Sequence, residues 1–396
     1  MRGRDLHTGN DDCIVVAFVS GKGGTGKTTL TANFATELAS SVKTDVTGHQ
    51  EDRKSKVLVI DNDYATGGTS YLLAGGERLK SGAEADKIRT SACFYDCYAI
   101  NISPEDVTPL GLLFSDPSVG DFEIDVLLNS LAWWRAPDSE SSEEETPAIS
   151  DRMKAESFVD QELLPYYEKL LERFRKEYDF ILIDSRGGAD TRASVAAVVA
   201  DAIIIVSEPG DVAAKQDTSF VETMRRMAAE VDRPVGPVAI ILNRILDAEK
   251  ERGVREGMKV IGRLPISQRV VECYRHTQLI FDQAPADPFC IAAIDAYKHW
   301  FPQERGVCQA RMRTAKLMMN LRTFFRQLGD YLSWCCAILA IVAGGGGVWG
   351  HLKGEHLPAT WLQPVHMVTL VIGVALLVVL VFGVTNRKKR RQNFPE

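Results

Sequence analysis

The chain predicts a doubly wound, mostly parallel α/β sheet followed by two C-terminal transmembrane helices. Three observations carry that expectation. Short unbroken apolar rows alternate with helical stretches over the first three hundred residues. A glycine-rich loop stands between the first row and the first helix. The chain is mixed and polar through residue 330, then strongly apolar over 331–385.

The first strand is read at Cys13–Val19, and Thr28–Ala39 follows as a helix. Lys56–Asp61 is the second strand, with Val57, Leu58, Val59 and Ile60 in an unbroken row. A parallel strand covered by helices on both faces needs such a row, because neither side meets water. Phe180–Asp184, Ala202–Val206 and Val238–Leu242 repeat the pattern, with helical stretches at 159–177, 190–200 and 212–230. Two stretches interrupt the rhythm. Residues 41–55 are polar and lengthen a connection. Residues 75–158 read as a long insertion, with weak helical signals near 121–134 and an acidic low-complexity run at 138–146.

Composition excludes some classes. Hydrophobic residues make up 45% and charged residues 25% of 396, an ordinary globular balance. The net charge of −7 argues against nucleic-acid binding by the whole surface, which needs Lys and Arg along phosphates. Eight cysteines in a chain this long do not suggest a disulfide scaffold. Cys93 and Cys97 share helical spacing, yet no second Cys/His pair stands near enough to complete a metal set. The first residues lack the apolar core of a secretory signal.

The loop Gly21-Lys-Gly-Gly-Thr-Gly-Lys-Thr28 fits G-x-x-x-x-G-K-[ST], with a strand before it and a helix after it. Its glycines let backbone N–H groups turn toward phosphate, and the helix start adds partial positive charge. Gly21, Lys22, Gly23, Gly24, Thr25, Gly26, Lys27, Thr28 and Thr29 therefore form the expected nucleotide cradle. Lys27 is expected at the β/γ-phosphates and Thr28 on Mg²⁺.

Lys22, second in this motif, makes the loop resemble the deviant Walker A sequence of the MinD/ParA family. The resemblance implies that Lys22 reaches across a homodimer to the partner's nucleotide. Leu-Val-Ile-Asp61-Asn-Asp63 is similar to the family's strand ending in Asp-x-Asp, which implies that Asp63 aligns the attacking water near the metal. Tyr178–Asp184 resembles the Walker B strand, with Asp184 on the Mg²⁺ shell. Ala202–Pro209 looks like the next family strand, Asn243 like its adenine-contacting Asn, and Gly262–Pro265 like the base-covering loop. The resemblance spans roughly 13–74 and 178–300. It implies a slow, partner-stimulated ATPase using ATP and Mg²⁺, with Lys22, Lys27 and Asp63 in catalytic roles. The chain departs from the family at Ser185-Arg186-Gly-Gly, where Arg186 either meets phosphate charge or pairs with a nearby acid.

Leu332–Gly350 and Met367–Thr385 each lack charge over about the twenty residues a spanning helix needs. Basic residues at 311–326 and 387–391 flank the pair and predict that both ends face the cytoplasm. The expected organisation is a nucleotide domain over 1–300, a basic amphipathic helix over 301–330, two spans over 331–386 and a basic tail over 387–396. The expected location is a bacterial inner membrane, with membrane lipid, a second copy and an unknown protein as partners. Two rival readings are a tyrosine-kinase-like enzyme and a scaffold that holds nucleotide without hydrolysis. The first is disfavoured because the tail Asn386–Glu396 has no Tyr.

Overall fold

A computed structural model describes residues 13–44, 50–63, 66–75, 88, 90–99, 101–129, 160–188, 190–246, 258–302, 304–314 and seven positions between 317 and 331. In chain order these form β1 (Ile14–Val19), α1 (Lys27–Ala39), β2 (Val42–Thr44), β3 (Gln50–Lys54), β4 (Val57–Asn62), α2 (Gly68–Ala74), α3 (Phe94–Ala99), β5 (Leu110–Asp116) and β6 (Gly120–Leu127). Then come α4 (Asp160–Phe174), β7 (Phe180–Ser185), α5 (Thr191–Val199), β8 (Ala202–Ser207), α6 (Asp211–Glu230) and β9 (Val238–Ile245). The order continues with β10 (Lys259–Pro265), α7 (Gln268–Arg275), α8 (Ile280–Gln283) and α9 (Pro288–Trp300).

Eight strands make one sheet in the order β10-β9-β8-β1-β7-β4-β6-β5. Every pairing in it is parallel except that of β5 with β6. The unbroken apolar rows do what parallel strands require. Val16 and Phe18 of β1 enter the layer shared with α1 and α9, while Val15, Ala17 and Val19 enter the layer shared with α4, α5 and α6. Phe34 of α1 packs edge-on against Phe18 at 5.8 Å and Tyr297 at 5.3 Å. Local chemistry starts the helices. The Asp190 carboxylate accepts from Ala193 N at 3.0 Å to open α5, and Asp287 accepts from Phe289 N at 2.8 Å to open α9.

The 75–158 stretch differs from expectation. Its described part is not helical near 121–127 but forms the hairpin β5–β6, and β6 pairs with β4 to extend the main sheet. Burial alternates along β5, and Phe114 stacks on Phe122 at 5.4 Å. A strand with one wet face carries polar residues at alternate positions, so Asp121, Glu123 and Asp125 interrupt the apolar row without ending the strand. The 41–55 connection likewise contains the antiparallel pair β2–β3. The acidic run at 138–146 lies outside the described residues.

The chain divides into two units, Met1–Ala315 and Lys316–Glu396. At the end of the first, helical residues 307–314 are clamped to α1. The buried Glu37 carboxylate accepts from Gly306 N at 3.0 Å and Cys308 N at 2.7 Å, and Ser40 Oγ accepts from Val307 N at 2.8 Å. Arg311, one of the basic residues before the first expected span, pairs with Asp116 and donates to the Asp282 carbonyl. In the second unit the described residues are helical, and Leu317, Leu321, Phe324, Phe325 and Tyr331 are exposed. The two predicted spans and the basic tail lie outside the described residues. Among the described residues no helix is long and apolar enough to cross a membrane.

Candidate functional site

Loop residues 20–26 connect the end of β1 to the start of α1. Gly24 and Gly26 have φ of +74° and +96°, conformations that cost an L side chain strain. At Gly26 space forbids one too, since a Cβ would stand 2.4 Å from Asn243 Nδ2. Gly21 is equally constrained, with a Cβ position 2.7 Å from the Gln216 carbonyl carbon. Gly23 is open to solvent. The loop's shape therefore follows from its glycines.

Lys27 is buried and donates to Ser20 Oγ at 2.8 Å. Burial lowers its pKa, and the charges of Asp184 and Asp63 partly offset that. The ammonium thus sits where an anion's arrival would satisfy it. Thr28 Oγ1 donates to Asp184 Oδ2 at 2.8 Å, and Thr69 Oγ1 donates to the same oxygen. The Thr29 carbonyl accepts from Asn33 Nδ2 at 2.7 Å and belongs to the helix start.

Two strand tips bring the carboxylates together. β4 and β7 run parallel in register, with Asp61 opposite Asp184. Burial raises both carboxyl pKa values, to about 7 for Asp61 and about 6 for Asp184. Asp61 accepts from Ser70 N at 2.8 Å, Ser70 Oγ at 2.6 Å and Asp63 N at 3.1 Å. Asp184 differs, since its Oδ1 is buried and accepts no hydrogen bond. A buried carboxylate oxygen without a donor is costly unless a cation meets it. Its neighbours Thr28, Thr69 and Asp63 carry oxygen ligands suited to a hard cation, so the residues fit Mg²⁺. Asp63 takes Thr66 Oγ1 at 2.6 Å and Thr66 N at 3.2 Å on its two oxygens, which fixes the carboxylate in the turn after β4.

Asn243 Nδ2 donates to the Thr25 carbonyl at 2.7 Å, and its Oδ1 accepts from Arg244 N at 2.8 Å. The expected base-reading amide is thus a brace of the phosphate loop in this structure. Pro265 closes β10 opposite Ile245, at the same end of the sheet as Asn243. Lys22 pairs with Glu208 of its own chain. After β7 the chain runs close over the loop. A Cβ at Gly187 would stand 2.4 Å from Gly23 Cα, and Gly188 N donates to the Ser20 carbonyl at 3.0 Å. Arg186 therefore stands on a stretch of backbone held close to the loop. Cys93 and Cys97 are both buried, and Cys97 Sγ donates to the Thr90 carbonyl at 3.2 Å.

Sequence reasoning missed three participants. Thr69 and Glu208 act on partners 115 and 186 positions away, so no local spacing marks them. Gly187 had a signal, the Gly-Gly pair after a strand-end acid, which marks close backbone approach.

Known proteins resemble this chain over much of its length. It is 25% identical over 263 residues to the septum site-determining protein MinD of Synechocystis, covering 65% of this chain and 77% of that one. The MinD of Helicobacter pylori is 25% identical over 281 residues, covering 71% and 76%. Among solved structures, MinD of Pyrococcus horikoshii complexed with Mg-ADP aligns with a TM-score of 0.49 and 19% identity, covering 72% of this chain and 95% of that one. The family model for the CobQ/CobB/MinD/ParA nucleotide binding domain matches residues 16–280, and the chain belongs to that family.

Proposed function

We propose that this chain is a membrane-anchored switch that binds and hydrolyses ATP as a homodimer and recruits or regulates a protein partner at a bacterial inner membrane. The observation that carries the ATP reading is the convergence of Lys27, Thr28 and Asp184 at the start of α1, with Asp184 Oδ1 left without a donor. The loop amides and the helix start favour a triphosphate, and Lys27 offsets its β/γ charge. A bound Mg²⁺ would supply neutralisation of the charge that develops on phosphoryl transfer. Thr28 and Asp184 would hold it, with Asp63 close by. Asp63, fixed by Thr66, orients a water whose oxygen attacks the γ-phosphorus as the bond to the β-phosphate oxygen breaks. The water's proton leaves through Asp63 to the released phosphate. ADP and inorganic phosphate are the products.

The anchoring part rests on the uncharged runs at 332–350 and 367–385 and on their basic flanks. Two spans would not release from lipid, so the chain would act in place rather than cycle on and off a membrane as a reversible surface helix does. The nucleotide domain and tail would face the cytoplasm, where ATP is.

Purified full-length chain in detergent tests this reading through phosphate release and ATP-dependent dimerisation. Mg²⁺-dependent release that falls at least about a hundredfold in Asp63→Ala is expected. Loss of ATP-dependent dimerisation in Lys22→Ala is expected as well. Release that persists in Asp63→Ala would refute the assigned hydrolytic role.

A further inference from the structure

Three charges meet beside the phosphate loop, and the hydrolytic chemistry uses only one of them. Lys22 Nζ donates to Glu208 Oε2, while Arg244 Nη1 donates to Glu208 Oε1 at 2.7 Å. Each carboxylate oxygen thus holds a cation. Glu208 follows β8 directly, and Arg244 lies near the end of β9 with φ of +61°, a strained conformation for a side chain of this kind. Glu208 is 17% exposed, against 39% for Lys22 and 57% for Arg244. Burial raises the Glu208 pKa, but the two cations outweigh it and hold the group ionised.

The Lys22 backbone has no freedom to match. Ser20 Oγ donates to its carbonyl, and a Cβ at Gly187 would stand 2.5 Å from the same oxygen. The direction of the ammonium is what can change. Inward, it lies on Glu208. Outward, toward a second copy's nucleotide, it leaves Glu208 to Arg244. A half-buried carboxylate stripped of every cation would make that departure costly. Arg244 keeps a cation in place, so the exchange has a modest barrier.

We propose that Glu208 is a positioning residue that holds Lys22 on its own subunit, so that closing two copies over ATP requires Lys22 to pass from Glu208 to the partner's phosphates. Arg244 acts in the opposite sense, holding the other carboxylate oxygen so that Lys22 can leave Glu208. This rests on the dimeric reading above and adds the resting position of its central lysine.

Two measurements on the full chain in detergent test the proposal. In nucleotide-free protein, amine acylation at Lys22 followed by peptide mass spectrometry reads the latch alone. Faster labelling in Glu208→Gln than in wild type is expected. Dimerisation against ATP concentration then reads its consequence. Glu208→Gln is expected to lower the half-maximal ATP about 2- to 5-fold, the range for a partly exposed ion pair. Arg244→Gln should raise it, and Glu208→Asp should restore the wild-type value. Raising ionic strength should shrink the gap between wild type and Glu208→Gln. A purely structural Glu208 would move both variants in the same direction, which would overturn the proposal. Equal Lys22 labelling in wild type and Glu208→Gln would also overturn it. Normal ATP-dependent dimerisation of Lys22→Ala, with the labelling difference intact, would instead show that the dimeric reading had failed and take the proposed consequence with it.

Discussion

Asp61 and Asp184 stand side by side at the same level of two neighbouring strands, both wholly buried, and they are spent in different ways. Asp61 has its charge absorbed by three donors, two of them from Ser70 at the start of α2. Asp184 gathers two threonine hydroxyls on one oxygen and leaves the other without a donor. The same residue type in the same register is thus a brace in one strand and an open ligand in the next. Strand position supplies the carboxylate, and the connection after the strand decides its use.

Substitutions at the two positions should separate stability from activity. The largest effect is expected for Asp184→Asn, which removes the open anionic oxygen. Mg²⁺-dependent phosphate release should fall by roughly a thousandfold, with no loss of melting temperature in metal-free protein. Asp61→Asn should show the reverse, with a loss of about 1–3 kcal/mol in chemical denaturation and a smaller change in turnover per folded molecule. If the two variants behaved alike, the distinction would be broken.

The pH response sharpens the comparison further. Both carboxyls have folded pKa values above the unfolded value of 3.8, so the folded chain binds protons more readily than the unfolded one. What these two groups add to metal-free stability should therefore be fully present below about pH 4 and be lost as pH rises through about 6 and 7. Mg²⁺ needs the ionised Asp184, so stabilisation by Mg²⁺ should grow over the same interval. Thermal melts at several pH values, with and without Mg²⁺, check both slopes, and Asp184→Asn should flatten the Mg²⁺ effect. The smallest change is expected for Ser70→Ala, which removes one of the three donors to Asp61 and should cost about 1 kcal/mol without touching Mg²⁺ binding.

What the sequence revealed follows a physical line. Strands β1, β4, β7, β8 and β9 were legible because burial on both faces demands unbroken apolar rows. The phosphate loop was legible because its glycines and Lys27 are adjacent in the chain. Hairpin β5–β6 was not, since its outer face is wet and its aspartates dilute the apolar signal. Glu208 and Thr69 were invisible for another reason. Their partners come from remote parts of the chain, and no periodicity encodes a contact made only in the folded state. The clamp of Glu37 on residues 306–309 was hidden likewise, because a glutamate within a helix reads as solvated until the chain's return covers it. The Asn243 amide donates to the Thr25 carbonyl 218 positions away, another contact that no local spacing encodes.

Calorimetric titration of the full-length chain with ATP and Mg²⁺, beside Lys27→Ala, reaches the central claim most directly. Wild type should bind with a Mg²⁺-dependent increase in affinity, while Lys27→Ala should lose at least about a hundredfold. Undiminished binding by Lys27→Ala would contradict the placement of the triphosphate on residues 21–28.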